Sequence, residues 1–275
     1  MSLMSKLLIS AAVITVGISA GSFDLTNYIS KNIVKNPDVK VIKVDTTTTR
    51  TIPNNPNWKA YLVIVNLKYK GKDIKEPMTI FVDEKAGLVS MDLMDANSGK
   101  SYKRSMKPDI PDSYYDDDHL IAGKSNAKHK MVIFSDPQCP FCMEFMPGAL
   151  KDFATKKGDV ALYYYHMPLV RLHPVSEVLT RVMEVLQKEG KIDDAMKMYS
   201  LKIPAKEKSV DKILAAIKKQ LNIEVSKNAI SKPEIKEAVK NDIKKAKAMM
   251  INGTPTIYFD GKFDQTRSKY KSYLK

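Results

Sequence analysis

The first hundred residues carry runs of apolar and polar positions that alternate in part. VKVIKVDTTT (39–48), KAYLVIVNLKY (59–69), EPMTIFVDE (76–84) and LVSMDLMD (88–95) are also rich in β-branched residues. A period of two with this composition predicts strands. NNPN, GKD and KAG between them supply turn chemistry. Ahead of the strands, SFDLTNYISKNIV (22–34) sets Leu25, Tyr28, Ile29 and Ile33 at helical spacing. Residues 22–103 therefore predict a small α+β domain, one helix with an antiparallel sheet.

The pattern then weakens. Residues 104–130 hold two prolines and an acidic triplet, with little sustained apolar periodicity. They read as a linker with a helical turn around Tyr114–Ile121. From 131 onward the chain alternates between strand-like and helix-like stretches. MVIFS (131–135) is an unbroken apolar run, as in a strand buried on both faces. CPFCMEFMPGALKDFATKK predicts a helix, with Pro147 expected to kink it. VALYYYHMPLV (160–170) predicts a second buried strand. Apolar positions at helical spacing follow in SEVLTRVMEVLQKEG, SVDKILAAIKKQL and KPEIKEAVKNDIKKAKAMM. INGTPTIYFDGKFD (251–264) reads as strand, turn and strand, before a short helical tail. That order predicts an α/β layer domain over 131–275.

The N-terminus changes where the protein is expected to work. In MSLMSKLLISAAVITVGISAGS, Lys6 precedes an uncharged apolar run from Leu7 to Ile18, and small residues follow. This is the order of a secretory signal peptide, placed at 1–21, and it predicts a periplasmic protein. A retained membrane anchor is the alternative. The run is short for that purpose, since a span takes ~20 apolar residues. The net charge of +14 raises the question of nucleic acid. The lysines, however, are spread among acids on helix-like stretches, with no arginine-rich tract and no stacking-aromatic motif. No nucleic-acid partner is expected.

Only two cysteines occur in the 275 residues, Cys139 and Cys142. A disulfide between them closes a tiny loop and constrains the unfolded chain little. Reactivity is a better reason for the pair than stability. Cys139 falls where a buried strand gives way to a helix. The unpaired N–H groups and the dipole of that helix favour a thiolate there. Cys139 would attack a disulfide in another protein, and Cys142, one turn on, would resolve the mixed disulfide. Pro140 is tolerated at the first helical position, where its missing N–H would be an orphan in any case. The competing readings are a zinc site, which needs further ligands, and an incidental pair. His166 and His173 or His119 and His129 could supply those ligands, but neither pair has finger-like spacing. No metal and no cofactor are expected. GTPT (253–256) offers a second feature. Pro255 ahead of a strand could follow a cis bond, leaving the Thr254 backbone free to pair with an extended peptide; an ordinary turn is the plainer reading.

FSDPQCPFC with GTPTIYFDGK resembles the thioredoxin superfamily, and more closely the periplasmic disulfide isomerases of the bacterial Dsb family, types C and G. The resemblance covers nearly all of the chain after the signal. It implies a cystatin-like N-terminal dimerisation domain at 22–103, a linker at 104–130, and a thioredoxin-fold catalytic domain with a helical insertion at 131–275. It also implies Cys139 as nucleophile, Cys142 as resolving thiol, Thr254 and Pro255 as the loop that binds substrate, and Pro140 and Phe141 as the active-site surroundings. The implied partners are exported proteins with cysteines, a membrane redox protein that resets the pair, and a second copy of the chain. The C type carries further cysteines and this chain has none, which places it nearer the G type. The superfamily's oxidase has histidine where this chain has Phe141, so a weaker oxidant is expected. A dithiol oxidase and a holdase chaperone are the alternatives to the isomerase.

Overall fold

The computed structural model describes residues 23–275. The expected signal segment, 1–21, lies outside them. The chain divides after Pro108 into two compact units.

The first unit opens with helix α1 (Leu25–Tyr28), continued by a π-helical turn over Ile29–Ile33. Asp24 starts it by accepting the Asn27 N–H at 3.0 Å. The four-stranded antiparallel sheet that follows has the order β1-β2-β3-β4. Its strands are β1 (Val39–Ile52), β2 (Asn55–Tyr69), β3 (Lys72–Asp83) and β4 (Leu88–Ser90). Val63, Val65 and Leu67 of β2 and Met78, Ile80 and Val82 of β3 share one core with Leu25, Tyr28, Ile29 and Ile33. The period-two pattern and the helical spacing thus meet on one sheet face. β2 is paired on both sides, while the outer side of β1 has no strand partner among the described residues. β4 is shorter than the 88–95 stretch suggested, pairing with β3 only at Phe81–Asp83. Helix α2 (Tyr102–Ser105), capped by Ser101, closes the unit.

The second unit is a five-stranded sheet of order β5-β7-β6-β8-β9 with helices on its faces. Its strands are β5 (Leu120–Ala122), β6 (His129–Ser135), β7 (Val160–His166), β8 (Thr256–Phe259) and β9 (Lys262–Phe263). β6 and β7 run parallel, and α3 (Pro140–Thr155) is the crossover that a parallel pair requires. Between β7 and β8 come α4 (Ser176–Lys188), α5 (Ile192–Met196), α6 (Val210–Leu221), α7 (Lys227–Ser231) and α8 (Pro233–Ala248). Side chains alternate across the two central strands. Met131, Ile133, Leu162 and Tyr164 join the core with α3 and α4. Val132, Phe134, Ala161, Tyr163 and Tyr165 join the core on the opposite face. Both faces are covered, so these strands read as continuous apolar runs. The helix α3 continues through Pro147, which lies on its exposed side.

The expected linker needs correction. Residues 109–130 belong to the second unit. Ile110, Tyr114 and Ala127 are buried in its core, and Leu120 pairs with Tyr163 across β5 and β7. The Tyr114 hydroxyl donates to the Lys245 carbonyl at 3.0 Å. His119 stacks on Tyr165 and bridges two carboxylates, Asp116 and Asp242, the latter at 2.9 Å. Few apolar residues mark this stretch in the sequence because aromatic packing and ion pairing hold it.

Candidate functional site

Cys139 is the N-cap residue of α3, and Pro140 is its first helical residue. β6 ends at Ser135, so the turn from strand to helix is four residues, Asp136 to Cys139. Asp136 builds that turn. Its carboxylate is fully buried. One oxygen accepts the Gln138 N–H at 2.8 Å and the Ser176 hydroxyl at 2.5 Å. The other accepts the Leu169 N–H at 2.8 Å and lies 3.0 Å from His173 Nδ1. A buried carboxylate is tolerable only when its lone pairs are filled in this way. Asp136 thereby ties the cysteine turn to the loop after β7 and to the start of α4. The sequence reading missed it, although an aspartate between an apolar strand and a cysteine pair was a usable signal.

The backbone N–H groups of Cys142 and Met143 both reach the Cys139 carbonyl at 2.9 Å, fixing the first turn of α3. Phe141 projects outward and is 63% exposed. Cys142 is fully buried, and Cys139 is 5% exposed. Cys139 is thus nearly closed to solvent, with Thr254 of the loop before β8 packed against its sulfur. Both cysteines are free thiols in this structure.

That loop comes from the far end of the second unit. β8 pairs with β6 and so brings Thr254 and Pro255 beside the cysteine turn. The Thr254–Pro255 peptide bond is cis. In its protonated form the Cys139 thiol donates to the Thr254 carbonyl at 3.3 Å. Thr254 and Pro255 are both buried. The structure therefore brings together Cys139, Pro140, Phe141, Cys142, Thr254 and Pro255.

The two sulfurs have opposite electrostatics. A hydrogen bond from the Cys142 thiol, opposed by burial and aided by the N–H groups of Cys142 and Phe141, lowers Cys139 to about 5. The Thr254 hydroxyl, beside both sulfurs, adds to this lowering ahead of those N–H groups. Burial, followed by the bond to Cys139, pushes Cys142 well up. One thiol is thus ionised at neutral pH and the other held protonated beside it. A thiolate is the attacking species in disulfide exchange. The arrangement can perform a nucleophilic attack by Cys139 and a later attack by Cys142.

A strand, a reactive cysteine pair opening a helix, and a cis-proline loop facing the pair together define a thioredoxin-fold protein with a thiol site. The family model described as Thioredoxin matches residues 116–275, and the chain belongs to that family. The match includes every residue of the candidate site. Among curated relatives, the "Probable disulfide bond formation protein D" of Bacillus cereus is 27% identical over 152 residues, covering 50% of this chain and 68% of that protein. The Na(+)/H(+) antiporter NhaA 1 of Mycobacterium sp. is 28% identical over 147 residues, 53% of this chain. The chain spans only 24% of the antiporter's length. Among solved structures, oxidised BdbD from Bacillus subtilis is 21% identical with a TM-score of 0.48, covering 61% of this chain and 92% of that one. A thioredoxin-like oxidoreductase from Silicibacter pomeroyi is 21% identical with a TM-score of 0.45, covering 56% of this chain and 87% of that one.

Proposed function

We propose that the protein is an exported thiol–disulfide oxidoreductase that reshuffles or reduces disulfides in client proteins of the periplasm. The observation that carries this reading is the divided pair, with an acidic Cys139 held against the Thr254 carbonyl and a buried, protonated Cys142. The Cys139 thiolate attacks a client disulfide; one client sulfur joins Cys139 and the other leaves. In isomerisation the freed client thiolate returns to a different partner and releases Cys139. In reduction Cys142 displaces the client and the pair is left oxidised, to be reset by a membrane redox partner. The composition of residues 1–21 supports export. No helix among the described residues is long and apolar enough to cross a membrane. The first unit would hold two copies together, and the side of β1 without a strand partner among the described residues supports that role. This division of labour is the one that the resemblance to the type C and type G isomerases implies.

A dithiol oxidase is the second reading. The low value at Cys139 favours it, because stabilising the thiolate stabilises the reduced pair and makes the disulfide more oxidising. Two measurements separate the readings: the resting redox state of the pair in cells, and the recovery of a substrate with scrambled disulfides. A pair kept reduced, with recovery of native disulfides, supports the isomerase. A pair resting as the disulfide, with rapid oxidation of reduced substrate and no unscrambling, supports the oxidase. Substrate recovery that survives the Cys139→Ser, Cys142→Ser double variant excludes both and leaves a holdase.

A further inference from the structure

Behind Cys142, away from the entry side, lies a line of buried hydroxyls. Ser135, the last residue of β6, has its side chain beside the Cys142 sulfur as a hydrogen-bonding neighbour. The Tyr199 hydroxyl donates to Ser135 Oγ at 2.6 Å. The Tyr164 hydroxyl lies 2.9 Å from the Tyr199 hydroxyl. Ser135 and Tyr164 are fully buried and Tyr199 is 2% exposed.

Proton counting sets the direction of this line. A phenol has one proton to donate. Tyr199 spends its proton on Ser135, so in the contact between the tyrosines Tyr164 is the donor. Ser135 receives a proton from Tyr199 and keeps its own free for the sulfur. The hydroxyls therefore point one way, Tyr164 to Tyr199 to Ser135 to Cys142. Chains of aligned hydrogen bonds polarise one another, and a low dielectric strengthens them.

The nearby carboxylates are already engaged. Both oxygens of Asp136 are taken by Gln138, Ser176, Leu169 and His173. Asp242 accepts from the His166 N–H at 2.8 Å and lies against His119. Burial, with the charges of Cys142, Asp136 and Asp242 adding to it, keeps the Tyr164 phenol protonated. Burial, with Tyr164 and Cys142 adding, does the same for Tyr199. The chain is a set of donors and takes no proton itself.

We propose that Ser135, Tyr199 and Tyr164 are positioning residues that stabilise negative charge on Cys142 as it resolves the mixed disulfide. This inference rests on the thiol–disulfide reading of the site. In the step, the Cys142 sulfur bonds to Cys139 and the bond from Cys139 to the client sulfur breaks. The client sulfur leaves with the electron pair and takes up the proton that Cys142 gives up. The disulfide moves from the mixed species to the pair, so no outside oxidant is needed. Charge builds on a fully buried sulfur before the new bond is complete, and the hydroxyl line supplies the donors that water cannot.

The test uses the full mature chain, reduced, mixed with the chromogenic disulfide 5,5′-dithiobis(2-nitrobenzoate). Attack by Cys139 releases the first thiolate and resolution by Cys142 the second, so the absorbance rises in two phases. Tyr199→Phe and Ser135→Ala should slow the second phase by about tenfold or more and move its pH profile upward, as loss of a hydrogen bond to a charged group implies. The first phase should stay within about twofold, since Cys139 is held by other groups. Tyr164→Phe, at the far end, should give a smaller slowing of the same phase. A second phase unchanged in all three folded variants overturns the proposal, as does equal slowing of both phases. A wild-type protein with no second phase overturns the thiol–disulfide reading itself. If Tyr199→Phe does not fold, Ser135→Ala and Tyr164→Phe still decide the question.

Discussion

The sulfur of Cys139 and the carbonyl oxygen of Thr254 stand 3.3 Å apart across 115 residues of chain. β6 and β8 make this meeting possible: their antiparallel pairing sets Phe134 opposite Thr256, just before the cysteine turn and just after the cis proline. With this contact made, Cys139 is only 5% exposed.

Cys139 should be alkylated selectively at mildly acidic pH. Its value of about 5 makes it thiolate at pH 6, while Cys142 remains a buried thiol. Brief treatment with iodoacetamide followed by peptide mapping should place the label on Cys139. Label found first on Cys142 would reverse their roles.

The reduced protein should gain stability with rising pH because of Cys139. The folded value lies below the ordinary thiol value of 9.0, so the contribution is present above that value and is lost as pH falls through about 5. The gain is at most about 1.4 kcal/mol per pH unit inside that window. Urea midpoints of the reduced wild type and of Cys139→Ser should diverge from pH 5 to pH 8. Parallel curves would refute the assignment.

Phe141→His should lower Cys139 further and make the pair more oxidising. The position is exposed beside the reactive sulfur, and an imidazolium there adds positive charge near the thiolate. The equilibrium with glutathione should shift by roughly tenfold toward the reduced enzyme for each unit by which the thiol value falls.

Asp136→Ala should cost about 3 kcal/mol or more, because it strands several buried donors at once. The lost acceptor serves Gln138, Leu169, His173 and Ser176. Asp136→Asn, which keeps one acceptor oxygen, should cost less. Denaturant titration of both variants checks the order.

His119 should make the second unit less stable at alkaline pH. Burial lowers its value, but hydrogen bonds and charge from Asp242, then Asp116, outweigh that and raise it overall. A raised histidine contributes in full below its unfolded value, near 6.5, and loses the contribution as pH rises through the higher folded value. The melting-temperature gap between wild type and His119→Gln should be widest at pH 6 and narrow toward pH 9.

A chain beginning at Asp109 should be monomeric, while the mature chain sediments as a dimer. The cut belongs there because β5 is part of the second sheet, so one starting nearer Ser125 would remove it. A monomeric full-length protein would remove the first unit's proposed role. Equal unscrambling by the truncated chain would show that the dimer is unnecessary.

Much of the architecture was readable because periodicity is local. Val63, Val65 and Leu67 alternate within a few residues, and the helix α3 announces itself through the cysteine pair and Pro140. The same locality misled where contacts are long. Residues 109–130 looked like a linker, since Tyr114 and His119 find partners at Lys245 and Asp242, far along the chain. Nor does periodicity say which strand lies where: KAYLVIVNLKY falls in β2, which the strand order puts in the middle of the sheet.

At the site, the sequence alone determined the chemistry: two cysteines, their spacing, and the helix end that favours one thiolate. Tertiary structure decided everything that depends on distance. It buried Cys142, covered most of Cys139, filled the lone pairs of Asp136, and aligned Tyr164, Tyr199 and Ser135 behind the second sulfur. Reactivity type follows from which atoms a residue carries. Reactivity strength follows from desolvation and hydrogen bonding, which arise only when distant segments pack.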